Sequence, residues 1–188
     1  MKNLKLIALL VIPTLFLTSC SNEYEVVNEE EVITTVTTTL TGGGQVITLT
    51  SRDLDGDGPN DPVLTPIGGG ALVAGTTYTG STEFLNELES PAEDITVEVQ
   101  EEGVDHQVFY FLGSSIGTIT YDAEDIDSNG NPIGLNFTLV AGTSGATGTL
   151  TVTLRHLPNK TAPGVSEGSI TNADGNTDAE VYFPITVN

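Results

Sequence analysis

Threonine alternates with aliphatic residues along much of this chain, and this two-residue period is the feature that most constrains its fold. The clearest case is 149–154, where Leu150, Val152 and Leu154 are separated by threonines. Successive side chains of a strand point to opposite faces of a sheet. The pattern therefore predicts a strand with one face on a core and the other in water.

Several segments carry this short-strand pattern, with turn residues between them. They are 32–41, 45–51, 72–76, 77–85, 106–112, 117–122, 134–140, 149–156 and 180–187. The run Gly42-Gly43-Gly44 predicts a hairpin between the first two. Many short strands of this kind predict an all-β fold, an antiparallel β-sandwich of the immunoglobulin-like or Greek-key type.

One short helix is expected to interrupt the strands. Ser90-Pro91-Ala92-Glu93 has the form of a capping box with proline at the first helical position, and Gly103 is placed to end the helix. Ala92, Ile95 and Val99 give it one apolar stripe. The sequence therefore predicts a helix over 91–102 that lies across an open end or edge of the sandwich.

The N-terminus has the form of a lipoprotein signal. Lys2 and Lys5 precede an apolar run over 6–17 that is too short to span a bilayer as a stable helix. Leu17-Thr18-Ser19-Cys20 is a lipobox, and Cys20 is the only cysteine of the chain. We therefore expect a signal peptide over 1–19, a lipidated acidic tether over 20–31 and a single disulfide-free domain over 32–188.

The chain is strongly acidic, with a formal net charge of −21. Loss of the signal peptide leaves Arg52, Arg155 and Lys160 as its only lysine or arginine residues. This charge excludes nucleic acid as a partner and attracts cations, although it is also typical of a solvated acidic shell. Arg155 and Lys160 lie close together in the sequence, so we expect them to contact an acidic group on a partner, or Arg155 to neutralise nearby carboxylates.

Two aspartate-rich segments, 53–58 and 125–130, fit the first half of a calcium loop. In such loops alternate side-chain oxygens converge on one hard cation and glycine permits the sharp turn. Position 12 lacks the glutamate of an EF-hand in both, and the alternative is a metal-free turn stabilised by Asx hydrogen bonds. The predicted calcium ligands are Asp53, Asp55, Asp57 and Asp61 in the first segment, and Asp125, Asp127 and Asn129 in the second.

A second candidate centre is for a transition metal. The chain has two histidines, His106 and His156, and Glu102 and Asp105 lie beside the first. If the histidines meet at one end of the sandwich, they have the chemistry to bind zinc, copper or haem iron. The alternative is that one is a solvated strand-end residue and the other a hydrogen-bonded rim residue.

No motif of a hydrolase, a zinc peptidase or a phosphate-binding loop is present, so we expect no enzymatic activity. In its lipobox, acidic tether and segments 53–62, 105–110 and 154–160, the chain resembles a family of small Bacteroidetes surface lipoproteins. Genes of that family are often found beside those of TonB-dependent outer-membrane receptors. The family's frequent description, "type 1 periplasmic binding fold", requires two α/β lobes that this sequence lacks.

The resemblance implies a lipid-anchored protein on the outer face of the outer membrane, with a TonB-dependent receptor as partner, and transfers no binding residues. The first hypothesis is a ligand-binding or accessory component for uptake of a metal or metal cofactor. The alternative is a structural or adhesive surface module stabilised by calcium. Proximity of His106 and His156 in the fold would favour the first; distant histidines with oxygen cages at the aspartate loops would favour the second.

Overall fold

A computed structural model of the chain describes residues 31–56 and 60–188. The signal peptide, Cys20 and all but the last residue of the tether lie outside the described residues, and the predictions for them remain predictions. In the described part, no helix has the length and apolar character needed to cross a membrane.

The fold is an all-β sandwich of two sheets, as predicted. The larger sheet has the strand order β3-β2-β1-β5-β9-β8, with a short strand β6 paired to β5. Its strands are β1 (Thr35–Gly42), β2 (Gln45–Arg52), β3 (Val63–Thr65), β5 (Thr77–Asn86), β6 (Glu93–Asp94), β8 (Gly117–Tyr121) and β9 (Asn136–Ala141). All of its pairs are antiparallel.

The smaller sheet has the order β4-β11-β10-β7. Its strands are β4 (Gly70–Leu72), β7 (His106–Leu112), β10 (Thr147–His156) and β11 (Asn176–Val187). The expected strand over 72–76 is wrong in position, because the strand ends at Leu72 and a turn containing Gly75, with φ of +68°, follows it. β4 also pairs with β11 in parallel, which departs from a purely antiparallel sandwich.

One hydrophobic core lies between the sheets. Leu150, Val152 and Leu154 of β10 are buried in it, as their alternation predicts. The predicted hairpin is present, since β1 and β2 pair in register from Thr35–Arg52 to Gly42–Gln45. Gly43 and Gly44 form its two-residue turn with φ of +58° and +77°, values that glycine adopts without strain.

The helix, α1, spans Ile95–Glu101 and begins four residues later than the predicted 91–102. Glu93 and Asp94 pair with β5 instead, and the Asp94 side chain caps the helix by accepting a hydrogen bond from Thr96 N. The Ser90 capping box is therefore wrong, because a nearer aspartate takes the N-cap position. Ile95 and Val99 are buried as expected, and α1 contacts both β5 of one sheet and β7 of the other.

Candidate metal centre

The two histidines are direct neighbours across two strands. His106 is the first residue of β7 and His156 the last of β10, and the antiparallel register pairs them with each other. Their side chains share the inner face with Val108 and Leu154. The rings stack with centroids 4.6 Å apart and planes 16° from parallel. The structure thus brings together the two residues whose proximity distinguishes the two hypotheses.

Asp178 is the third member of this cluster, and a β-bulge places it there. Leu154 of β10 pairs with Ala179 of β11, whereas the next residue, Arg155, pairs with Thr177. Asp178 is therefore an extra residue between two rungs of the ladder, and such bulges redirect a side chain. Its carboxylate is fully buried, 3.8 Å from His106 Nε2 and 3.9 Å from His156 Nδ1. We call His106, His156 and Asp178 the inner cluster.

The hydrogen bonding of His106 leaves a lone pair facing the carboxylate. Its Nδ1 lies 3.3 Å from the carbonyl oxygen of Glu102, which only accepts hydrogen bonds, so Nδ1 carries the proton. Nε2 has no hydrogen-bond partner among the described residues and is directed at Asp178. Burial, followed by the nearby His156, lowers the pKa of His106, so this imidazole is neutral at physiological pH. A neutral imidazole is the form that binds metals.

The histidine–aspartate distances in the inner cluster are longer than hydrogen bonds. An N–H···O hydrogen bond spans about 2.7–3.2 Å, which is shorter than either histidine–aspartate distance. Ligand atoms around a tetrahedral zinc ion, with bonds of about 2.0–2.2 Å, lie about 3.4 Å apart. One nitrogen from each histidine and one oxygen from Asp178 already lie within 4.8 Å of one another. To complete three bonds to a small ion, these atoms would have to move closer together and the stacked rings would have to rotate toward a common point.

The same geometry leaves no room for haem. A haem iron held by two histidines needs the porphyrin between the two rings, whereas these rings are in stacking contact. The side chains of His106 and His156 are 0% and 4% exposed, so neither reaches a surface where a porphyrin could lie. Of the metals that two histidines can bind, the arrangement therefore favours zinc or copper over haem iron.

A second group of carboxylates adjoins the inner cluster. Glu31 and Glu102 place one oxygen each within 4.8 Å of each other and of a ring nitrogen of His106. Burial, a hydrogen bond with Glu98 and the negative charges of Glu98, Glu102 and Asp178 raise the pKa of Glu31 to about 7. Glu102 and His106 therefore meet as the sequence predicts, whereas Asp105 belongs to neither group. We call Glu31 and Glu102 the outer pair.

The second aspartate loop is occupied by a cation of the protein itself. Asp127 Oδ1 accepts hydrogen bonds from Asn129 N and Asn131 N, and Oδ2 lies 3.1 Å from Lys160 Nζ. Lys160 Nζ also donates to the carbonyl oxygens of Gly103 and Pro132, so each of its three protons has an acceptor.

The carboxylates of this loop have ionisation states set by those contacts. Burial raises the pKa of Asp127, but the hydrogen bond from Asn131 N and the ion pair with Lys160 outweigh it, and the net pKa shift is downward. Asp125 accepts from Asn136 N at 2.7 Å, and burial raises its pKa. These contacts are those of the metal-free turn, with an ammonium group beside Asp127. Calcium binding by Asp125, Asp127 and Asn129 remains a prediction that has to compete with them.

The first aspartate loop is exposed and only partly described, since Asp57 lies outside the described residues. Asp53 Oδ1 accepts from Asp55 N at 3.2 Å, and Asp55 Oδ2 accepts from the Asn60 side chain at 2.6 Å. Asp53, Asp55 and Asp61 line one shallow open pocket. Calcium binding by this loop remains a prediction.

The two cations expected to contact a partner are both used inside the molecule. Lys160 is only 5% exposed, so its predicted role as a surface contact is wrong. Arg155 donates through Nε and Nη2 to the carbonyl oxygen of Asp174, and through Nη2 to that of Gly175. These bonds hold Asp174 and Gly175, which lead into β11 and lie four and three residues before Asp178. Gly175, with φ of +70°, approaches the His156 carbonyl so closely that a Cβ would collide with it.

Sequence reasoning did not identify Asp178 or Glu31 as members of the site. Asp178 lies in the run of polar residues at the start of β11, and only the bulge, which has no sequence signature here, turns it inward. The sequence places Glu31 in the acidic tether. Comparison with known proteins adds nothing to this geometry: no protein-family model matches the chain, and neither curated proteins nor solved structures give a match.

Proposed function

We propose that this protein is a non-enzymatic metal-binding lipoprotein that holds a zinc or copper ion at the inner cluster. The observation that carries the proposal is that the buried side chains of His106, His156 and Asp178 lie together. His106 Nε2, which has no hydrogen-bond partner among the described residues, is directed at the Asp178 carboxylate. Two imidazoles and a carboxylate are a common ligand set for zinc, and copper binds such sites more tightly still.

The electrostatics of the whole chain support the same proposal. A net charge of −21 concentrates cations near the surface, and the neutral His106 needs no proton removed before it binds an ion. The buried site has three ligands in place, which leaves a fourth position for water or for a further carboxylate.

We further propose that the ion serves nutrient uptake at the outer membrane. The lipobox at Cys20 and the acidic residues after it support display on the outer face, and the family resemblance supports a TonB-dependent receptor as partner. In this role the protein binds the metal outside the cell and passes it to the transporter.

The test is zinc and copper binding by the mature chain from residue 20, with Cys20→Ser to remove its only thiol. Competition against a chromophoric chelator at pH 7.5 should give one tight site per chain. Asp178→Asn and His156→Gln should each weaken affinity by at least about 100-fold, because second-shell losses alone cost 10–100-fold.

Asp174→Asn is the matched control. It removes an exposed carboxylate four residues before Asp178, on the same segment, and should leave affinity unchanged. Absence of tight binding, or binding that all three variants retain, would contradict the proposal.

A further inference from the structure

The inner cluster is closed to solvent, which raises the question of how an ion reaches it. The side chains of His106 and Asp178 are 0% exposed and that of His156 is 4% exposed. A hydrated divalent ion cannot reach such ligands directly, because it must first lose water to other oxygen or nitrogen donors.

The outer pair lies where such donors are needed. Glu102, which follows α1, is exposed, and Glu31, which precedes β1, is half-buried. One oxygen of each lies within 4.8 Å of a ring nitrogen of His106, and that same residue belongs to the inner cluster. Exposure thus falls in order from Glu102 through Glu31 to His106 and Asp178. His106 Nε2 has no hydrogen-bond partner among the described residues and is directed at Asp178 of the inner cluster.

We propose that Glu31 and Glu102 form the access route for a divalent transition-metal ion, with His106 as the ligand shared by the outer and inner positions. This inference rests on the proposed metal-binding function. The ion first exchanges part of its hydration shell for the two outer carboxylates and His106. It then exchanges the carboxylates for His156 and Asp178.

This route predicts a kinetic signature that differs from that of a simple ligand. The outer pair stabilises the ion on its way in and on its way out, so its removal slows association and dissociation together. The equilibrium affinity, which the inner cluster sets, then changes little. A ligand of the final site behaves in the opposite way, because its loss mainly speeds dissociation.

The test is stopped-flow zinc binding to the mature Cys20→Ser chain, with equilibrium affinity measured on the same samples. Glu31→Gln with Glu102→Gln should slow both association and dissociation about tenfold, at the low end of the electrostatic effect on association rates. The dissociation constant should stay within about threefold of the starting value. Glu101→Gln is the matched control, since Glu101 is exposed next to Glu102 but belongs to neither group, and its rates should be unchanged.

The outcomes separate this inference from the function on which it rests. If zinc binds through His156 and Asp178 but the double variant associates at the unaltered rate, the access route is wrong and the metal-binding function stands. A weakened affinity with an unchanged association rate also overturns the route, because Glu31 and Glu102 would then be ligands of the final site. If no zinc binds, both proposals fail.

Discussion

Two buried polar clusters lie on either side of the turn between α1 and β7, and they differ in where their positive charge comes from. On one side, the carbonyl of Gly103 and the carboxylate of Asp127 surround the ammonium group of Lys160. On the other, the carbonyl of Glu102 faces His106, which is neutral and adjoins the carboxylate of Asp178.

The comparison shows that the two buried carboxylates have different neighbours: Asp127 lies beside a lysine and Asp178 beside two histidines. A buried ion pair with its remaining donors and acceptors satisfied is complete, and it ties distant segments of the chain together. In the second cluster a buried carboxylate adjoins two imidazoles, and that of His106 is neutral. We interpret the first cluster as structural and the second as the proposed binding place of an external cation.

The largest expected effect is in the lysine cluster. Lys160→Met should destabilise the fold by about 3–5 kcal/mol, because it leaves the Asp127 carboxylate and two carbonyl oxygens buried without their cation. Urea unfolding measures the change. Asp127→Asn added to Lys160→Met should recover part of the loss.

Arg155→Met is the matched control for that substitution. Arg155 is the nearby cation whose bonds are to two carbonyl oxygens and the Thr177 hydroxyl of an exposed segment, so its loss should cost about 1 kcal/mol. Equal losses in the two variants would break the distinction between a buried and a peripheral cation.

The next effect is the stabilisation of the histidine cluster by metal. Zinc at a free concentration of 100 times its dissociation constant should stabilise the fold by about 2.7 kcal/mol, because it binds only the native chain. Thermal unfolding with and without chelator measures this gain. Asp178→Asn should abolish it, whereas Asp174→Asn should retain it. A gain that persists in Asp178→Asn would place the ion elsewhere.

A smaller effect concerns pH in the metal-free protein. The pKa of Glu31 is about 7 in the folded chain, above its usual value of 4.5, so the folded state binds more protons between these pH values. The stability that Glu31 contributes is therefore present below pH 4.5 and lost as pH rises through 7. Glu31→Gln imitates the protonated form, so it should be more stable than the unsubstituted chain at pH 8 and equal to it near pH 4.5.

Urea midpoints in the presence of chelator, at both pH values, test this expectation. The charged groups that oppose ionisation of Glu31 are Glu98, Glu102 and Asp178. Glu101→Gln should show no such pH-dependent gain. An equal effect of Glu31→Gln at the two pH values would mean that these groups do not raise the pKa of Glu31.

The smallest expected effect is that of calcium, which compares the two aspartate loops. Calcium at its dissociation constant would add only about 0.4 kcal/mol. We expect any such gain to come from the first loop, where Asp53, Asp55 and Asp61 line an open pocket. We expect none from the second loop, because the Asp127 carboxylate is already paired with the Lys160 ammonium group. Asp55→Asn should remove the calcium-dependent rise in melting temperature. A rise that survives this substitution would point to a different loop.

The inner cluster was predictable from the sequence only in part. The alternation along 149–156 predicts that His156 shares the face of Leu154, and this is confirmed. The pairing with His106 depends on how β7 aligns with β10, a long-range register that local patterns do not determine. Asp178 depends on a bulge, and a one-residue irregularity reverses the direction of a side chain without any change in composition.

The errors outside the cluster have similar causes. The helix begins at Ile95 because β5 pairs with Glu93 and Asp94, a tertiary contact that outweighs the local capping signal of Ser90. The strands Val63–Thr65 and Gly70–Leu72 are three residues long, too short to show a period. Lys160 is buried against the usual behaviour of lysine, because three acceptors from separate parts of the chain converge on it.

Because Asp178 lies in a β-bulge, a mutation can remove it from the inner cluster without changing the fold. With that residue deleted, Thr177 and Ala179 would become chain neighbours opposite Arg155 and Leu154, which is the regular antiparallel ladder. The sandwich would keep its pairing and its apolar core, and only the carboxylate between the histidines would be lost. Loss of a single codon would therefore remove one ligand of the proposed metal site while the architecture of the domain remained.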